Sequence, residues 1–367
     1  MKNSKKYFIY TFGCQANKSD SERISGDYQA RGFTQAKKVD QADEIIINTC
    51  SVRQRAEDRI IGLLHNLAKK FSSKTKPKII LTGCMIHHGK RQLLKSMPLI
   101  DEILPIMEVG FNQPIVRRDK HHAWVPISTG CNSFCSYCIV PYSRGREKSR
   151  PMTDILKEIK DLVNQNYTEI TLLGQNVNSY GLEKINIGLR KQRKKTQAKP
   201  PFVKLLEKIC TFPQLKIIRF MTANPWDFSN TLINCIAANS QIDRYLHLPV
   251  QSGSNKILKL MNRGYTKEDY LTLINQIHKK IPNISIGTDI IVGFPTETKK
   301  DFQDTVDLAK QADFKVSFNA QYSPRPGTLA AKKYQDNISS KEKKHRWQIL
   351  EDLINIKNIK KRPKVIK

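Results

Sequence analysis

Nowhere in these 367 residues is there an apolar run long enough to span a bilayer. The N-terminus MKNSKKYFIYTFG also lacks a long apolar segment ahead of a small-residue cleavage site. The expectation is a cytoplasmic protein with no place in a membrane. Acidic residues are scarce, with 33 Asp and Glu set against 63 Lys and Arg, a formal charge of +30. That imbalance favours a polyanionic partner through counterion release and long-range attraction, but charge alone names no substrate. No internal repeat of solenoid period is present, which excludes a stacked-repeat architecture.

What the chain does have is cysteine. Eight thiols in a reducing compartment are poor candidates for disulfides, so metal ligation or catalysis is the better expectation. The length exceeds one small core and predicts two domains plus additions.

The first segment alternates strand and helix. Apolar runs at Tyr7–Thr11, Glu44–Asn48 and Lys78–Leu81 have strand length, and helical patterns over Ser19–Arg31 and Arg53–Lys70 separate them. Such alternation implies a doubly wound parallel sheet with helices on its faces. Each strand runs directly into a cysteine: YFIYTFGC into Cys14, EIIINTC into Cys50 and KIILTGC into Cys84. Carboxyl ends of parallel strands share one sheet edge, so three thiols far apart in sequence are expected to converge there.

A second alternating series starts near Trp124. Strands are expected at Trp124–Ser128, Glu169–Leu173, Ile217–Met221, Tyr245–Pro249, Ser285–Ile291 and Lys315–Gln321. Helices are expected at Thr153–Asn166, Val203–Thr211, Ser229–Asn239, Thr266–Lys280 and Lys299–Ala312. Six such units predict an incomplete β/α barrel. Gln175, Asn176, Asn224 and Gln251 gather at the strand ends, with Asp289 inside its strand, and a barrel of this type places its chemistry on that face. Asn and Asp at such positions also make ordinary turns and caps. Gly110–His122 reads as a linker, and the basic stretch Gly188–Pro200 as a surface loop.

Just after the first barrel strand, ISTGCNSFCSYC sets Cys131, Cys135 and Cys138 in a C-x3-C-x2-C spacing. Soft thiolates suit iron–sulfur clusters or zinc. Structural zinc takes four closed ligands, which would require His121 or His122, and both precede the strand rather than follow it. Three cysteines on a four-iron cluster leave one iron open for substrate. Cys210 and Cys235 fall at apolar helix positions and read as packing residues.

With an aromatic residue, Tyr137, before its last cysteine, this triplet resembles the radical S-adenosylmethionine (SAM) signature. CIVPYSRGREKSR, TFGCQAN, NTCSVRQRAE, LTGCM, LLGQNVNSYG, HLPVQSGS, DIIVGFPTET and YSPRPGT extend the resemblance, in order, to the methylthiotransferases of that superfamily. GQNVNSYG and CIVPYSRGRE are most similar to the branch that methylthiolates isopentenylated adenosine beside the tRNA anticodon. Methylthiotransferases of threonylcarbamoyladenosine or of a ribosomal protein are the neighbouring alternatives. A non-catalytic, metal-bound RNA-binding protein is the remaining one.

The resemblance implies a radical SAM barrel behind the doubly wound domain, over residues 120–330 and 5–115 respectively. It implies two [4Fe–4S] clusters: one on Cys131, Cys135 and Cys138 that binds SAM, and an auxiliary one on Cys14, Cys50 and Cys84. SAM cleavage would furnish the radical that opens adenine C2, and an electron donor such as flavodoxin or ferredoxin is implied as a partner. Tyr137, Gln175, Asn176 and Gln251 are the expected cofactor neighbours. Arg144, Arg146 and Arg150, with Tyr142, suit phosphate contact and base stacking in an anticodon loop. No side chain is expected as an acid or base, the chemistry being carried by the clusters.

Two departures from the family pattern stand out. Relatives usually carry a C-terminal TRAM β-barrel that grips tRNA. Here about 39 residues follow Thr328 and pattern as a basic helical tail over 331–367, so that domain is expected to be missing. Lys360–Lys367 and the Gly188–Pro200 stretch are expected to replace part of its electrostatic grip. In TANPWDF, Asn224 stands where a histidine is more usual, and an amide cannot titrate there.

Overall fold

In the computed structural model, residues 4–51, 54–72, 75–109, 111, 114–185 and 199–359 are described. Lys360–Lys367 and most of the Gly188–Pro200 stretch, both expected to touch RNA, lie outside them. The chain divides into two units. One comprises Met1–Lys120, Thr129–Cys131 and Cys138–Arg146, and the other His121–Ser128, Asn132–Tyr137 and Glu147–Lys367.

The first unit is built on a five-stranded parallel sheet: β1 (Lys6–Thr11), β2 (Thr34–Gln35), β3 (Glu44–Thr49), β4 (Lys78–Gly83) and β5 (Glu102–Ile103). Its spatial order is β2-β1-β3-β4-β5. The isoleucine runs make β3 and β4 central because side chains alternate across the sheet and both faces must be covered. Ile45, Ile47, Ile79 and Leu81 pack on Ile60, Leu64 and Leu67 of helix α2 (Gln54–Lys70). Tyr7, Ile46 and Ile80 pack on Ile24 and Tyr28 of helix α1 (Gln15–Ala30). In this strand order the crevice for ligands opens beyond the carboxyl ends of β1 and β3, where the order reverses.

The expected linker at 110–122 is not free chain throughout. Val116 N–H donates to the Glu22 carbonyl at 3.1 Å, and Arg117 pairs with Glu22 at 3.3 Å. Gly26 explains the approach: a β-carbon there would stand 1.9 Å from the Pro114 oxygen, so only glycine admits the strand of backbone against α1.

The second unit carries six parallel barrel strands: β6 (His122–Pro126), β9 (Glu169–Leu173), β10 (Ile217–Phe220), β11 (Tyr245–His247), β12 (Ser285–Val292) and β13 (Val316–Gln321). Short strands β7 (Ser128–Thr129) and β8 (Lys148–Ser149) flank the cysteine triplet in sequence. Two three-stranded ladders, β10-β9-β6 and β11-β12-β13, are linked by a parallel bridge from Ile218 to Ile242. Neighbouring strands therefore follow chain order around an open barrel. Helices at Met152–Asn164, Pro201–Cys210, Asn230–Ala238, Lys267–Lys280 and Lys299–Ala312 cover it. Thr266 with Asp269, and Thr298 with Asp301, close full capping boxes at the last two, the signature legible in sequence as T-x-x-D.

Residues 329–359 belong to this unit rather than standing apart from it. Helix Ser340–Leu350 continues as a π-helical turn over Glu351–Ile356, with Leu350 and Ile354 in the barrel core. Arg346 forms a buried pair with Glu297 at 2.6 Å. The Asn355 amide accepts from Ser317 N–H at 3.0 Å and donates to the Ser317 carbonyl at 2.7 Å, standing in for a strand neighbour on the edge strand β13.

Candidate iron–sulfur and cofactor site

Strand register brings the first three cysteines to one edge. Thr11 pairs with Asn48, and Thr49 with Gly83, so Cys50 and Cys84 each follow directly on a paired position. Cys14 follows β1 by three residues and occupies the N-cap position of α1, without a side-chain capping bond. Glycine makes the close approach possible. A β-carbon on Gly13 would stand 2.7 Å from Cys50 Cβ, and one on Gly83, whose φ is +94°, would stand 2.3 Å from the Thr49 oxygen.

A buried polar network ties the three strand ends. Asn17 Nδ2 donates to Asn48 Oδ1 at 2.9 Å and to the Thr49 carbonyl at 2.8 Å. Thr49 Oγ1 donates to the Thr82 carbonyl at 2.5 Å and accepts from Met85 N–H at 3.1 Å. Cys14 Sγ itself lies 3.3 Å from Asn17 Oδ1.

Arg144 enters this group from the turn after the short helix Val140–Ser143, in the same unit. Its Nε lies 3.4 Å from Cys84 Sγ and its Nη2 donates to Asp20 Oδ2 at 2.7 Å. Burial works against the charge on Arg144, but Asp20, Cys84 and Cys14 outweigh it and hold the guanidinium protonated. Burial pushes the Cys14 thiol up while Arg144 pulls it down. The residue keeps exposed surface, which leaves a path for a metal.

In the second unit, Cys135 has a matching partner. Arg263 Nη1 lies 3.3 Å from Cys135 Sγ, while its Nη2 donates to the Pro249 carbonyl at 2.9 Å and its Nε lies 3.1 Å from Tyr265 Oη. The guanidinium lies 4.8 Å from the Trp226 ring centre, a cation–π distance. The loop around Cys135 is pinned by Ser136, whose Oγ donates to the Leu260 carbonyl at 2.8 Å and whose carbonyl accepts from Ala330 N–H at 2.7 Å. Asn262 Nδ2 donates to the Phe134 carbonyl at 3.0 Å, across a Phe134 backbone with φ of 45°.

The expected cofactor neighbours occupy the carboxyl-terminal edge of the barrel. Asn176 is buried and donates to Ser133 Oγ at 3.0 Å, reaching the cysteine loop. Gln175 Oε1 and Ser128 Oγ are buried and find no hydrogen-bond partner among the described residues. Orphaned oxygens at adjacent strand ends fit a polar ligand, since an unsatisfied buried acceptor is costly. Gln251 is buried with φ of 72° and bridges to Ile290. Tyr137 packs on Ile257, Met261, Phe294 and Tyr322.

The arginines separate. Arg144 and Arg150 are buried, the latter paired to Glu158 at 2.6 Å and donating to the Pro126 carbonyl at 2.9 Å. Both guanidiniums are thus engaged by carboxylates of the protein, Arg144 by Asp20 and Arg150 by Glu158. Arg146 and Tyr142 are exposed. Asn224 organises a turn, accepting from Asp227 N–H at 2.8 Å and donating to Ser179 Oγ at 2.8 Å. His122 sits in β6 with Nε2 2.8 Å from Thr171 Oγ1, at the strand end opposite the cysteines. Cys235 is buried and Cys210 half-buried, and burial pushes their thiols up to about 11 and about 12, the mark of packing residues.

The donor set fits the clusters. Three thiols follow strand ends of the first unit and three share the C-x3-C-x2-C spacing, and an arginine contacts one thiol of each set, Arg144 at Cys84 and Arg263 at Cys135. Residues 125–309 match the radical SAM superfamily model, and residues 6–105 match uncharacterized protein family UPF0004. A tRNA-2-methylthio-N(6)-dimethylallyladenosine synthase of Thermotoga petrophila is 43% identical over 95% of this chain and 81% of its own length. The chain belongs to the radical SAM methylthiotransferase family. Another synthase of the same name, from Desulforamulus reducens, is 42% identical over 97% of this chain and 81% of its own length. Among solved structures, the radical SAM methyltransferase TsrM from Kitasatospora setae shares the fold at 14% identity. Its TM-score is 0.60, over 89% of this chain and 77% of that one. Membership in this family brings a [4Fe–4S] cluster and SAM as cofactors. No described helix is long and apolar enough to cross a membrane.

Proposed function

We propose that this protein is a tRNA-2-methylthio-N6-dimethylallyladenosine synthase, a radical SAM enzyme that places a methylthio group on C2 of isopentenyladenosine beside the tRNA anticodon. The observation that carries this reading is the 43% identity, over 95% of the chain, to a synthase of that name. It is supported by two cysteine triplets, one met by the buried Arg144 and the other by the half-buried Arg263.

When bound, the clusters and SAM supply the electron, the radical and the sulfur. The residues of this chain hold and shield those groups. Cys131, Cys135 and Cys138 would hold the SAM cluster, and Cys14, Cys50 and Cys84 the auxiliary one. Gln175, Asn176 and Ser128 would orient SAM at the carboxyl-terminal barrel edge, and Tyr137 and Gln251 would wall it. Arg144 and Arg263 offset the negative charge that reduction adds to a thiolate-bound cluster. Arg146, with Tyr142, is the exposed pair suited to phosphate and base. A low-potential protein donor, flavodoxin or ferredoxin, would supply the electrons, and the reaction belongs in the cytoplasm with its tRNA.

Mass spectrometry of tRNA nucleosides tests the substrate. Deletion of the gene should convert 2-methylthio-isopentenyladenosine to isopentenyladenosine, and re-expression should restore it. Persistence of the methylthio nucleoside would refute the assignment, as would loss of methylthio-threonylcarbamoyladenosine in its place.

A further inference from the structure

The turn that opens on Cys84 carries two adjacent histidines, which resemble nothing in the cysteine chemistry. Both approach the start of α2. One ligand atom each from Glu57, His87 and His88 lies within 4.8 Å of the others. Glu57 is buried, and both histidines are half-buried.

We propose that Glu57, His87 and His88 form a third metal site, separate from both cysteine triplets, for one divalent first-row ion such as zinc or ferrous iron. Two imidazole nitrogens and a carboxylate oxygen are the donor set such ions take when a position is left open for water or substrate. The nitrogen and oxygen donors also set the site apart from the soft thiolates nearby.

Three further features fit ligation. The His88 Nε2 to Glu57 Oε1 distance is 3.3 Å. A charge-assisted hydrogen bond would draw these atoms to about 2.7–2.9 Å. Two ligands on one tetrahedral ion, each about 2.0–2.1 Å from it, stand roughly 3.3 Å apart.

His87 has its tautomer set. Its Nδ1 lies 2.8 Å from the Cys84 carbonyl, which only accepts, so Nδ1 carries the hydrogen and Nε2 the lone pair. A histidine ligand is ordinarily fixed in this way by a backbone carbonyl behind it. Glu57 has the equivalent support, accepting from the Ser51 hydroxyl on Oε1. The two rings lie against one another with centres 3.9 Å apart, which keeps both on the same side of the turn.

The test uses the full chain, purified anaerobically with its clusters, equilibrated with zinc(II) and desalted. Metal analysis should find one zinc per chain beyond the iron. Zinc K-edge absorption should show nitrogen and oxygen neighbours at about 2.0–2.1 Å with imidazole scattering. Glu57→Gln and His88→Ala should each weaken zinc binding by at least about tenfold, and Ser51→Ala by about tenfold. If a variant loses its iron and so fails to fold, the absorption spectrum of the unaltered protein decides. Failure to retain zinc overturns the proposal. Zinc with sulfur neighbours at about 2.3 Å does so as well, since the cysteines would then be holding it. Full zinc binding in a folded His88→Ala protein is equally fatal. None of these results depends on which nucleoside the enzyme modifies.

Discussion

Arg144 places its Nε 3.4 Å from the Sγ of Cys84, a residue 60 positions earlier in the chain, while the same guanidinium holds Asp20 at 2.7 Å. One side chain thus fixes the start of α1 and touches a thiol at the end of β4. A buried cation beside a cluster ligand favours the reduced state, because reduction adds negative charge in a low-dielectric site.

Replacing Arg144 with Gln should therefore lower the midpoint potential of the N-terminal cluster, measured by spectroelectrochemistry. It should also destabilise the unit by about 3–5 kcal/mol, because Asp20 is left largely buried without its partner. Arg144→Lys should retain much of the potential and lose the geometry, since an ammonium cannot bridge both groups as the fork does. An unchanged potential in a folded Arg144→Gln protein would remove the electrostatic role.

Arg263→Gln should act on the other cluster alone. Its guanidinium meets Cys135 Sγ at 3.3 Å and the Trp226 ring, both in the second unit. The expected outcome is a lower potential for the SAM-binding cluster with that of the auxiliary cluster unmoved. Equal shifts in both would point to a general loss of packing.

Gly83→Ala should reduce the iron content of the N-terminal cluster. The residue combines φ of +94° with a β-carbon position 2.3 Å from the Thr49 oxygen, so β4 must move and carry Cys84 with it. Gly62→Ala, where nothing lies within 4 Å of the added carbon, is the matched control and should keep its iron. Iron and sulfide analysis of the two proteins reads the difference.

Arg146→Ala should lower the slope of log affinity for tRNA against log salt by about one, as expected for loss of one phosphate contact. Arg150→Ala should instead lower the melting temperature, since its guanidinium is buried against Glu158 and the Pro126 carbonyl. If Arg146→Ala leaves the salt slope unchanged, the exposed pair at 142 and 146 is not the RNA contact.

Asp301 predicts a pH dependence. Burial works to raise its pKa, but hydrogen bonds from Ser254, Thr298 and Lys256 outweigh it and hold the carboxyl well below the usual range. A folded value below the unfolded one adds stability above the unfolded pKa, and this is lost as pH falls through the folded value. The melting temperature of Asp301→Asn should therefore be lower than wild type at pH 7. The gap should narrow steadily below about pH 4. A gap that stays constant with pH would assign the effect to packing alone.

The order of the elements was legible in the chain itself. Isoleucine runs of strand length and helical spacing between them place β3, β4, the barrel strands and their helices within a few residues of where they lie. Local patterning suffices there because burial on both sheet faces leaves such runs few alternatives. The six cysteines were legible for the same reason: three follow strand ends, and three share a short spacing. Only the tertiary structure decided which charged residues serve them. Arg144 and Arg150 share a basic run with Arg146 and cannot be told from it by spacing. Burial beside Asp20 and Glu158 separates them, and those contacts depend on which surfaces fold together. Arg263 lies 128 residues from Cys135, and no local pattern joins them. The proposed ligands are read from sequence, and the placement of charge around them came from packing.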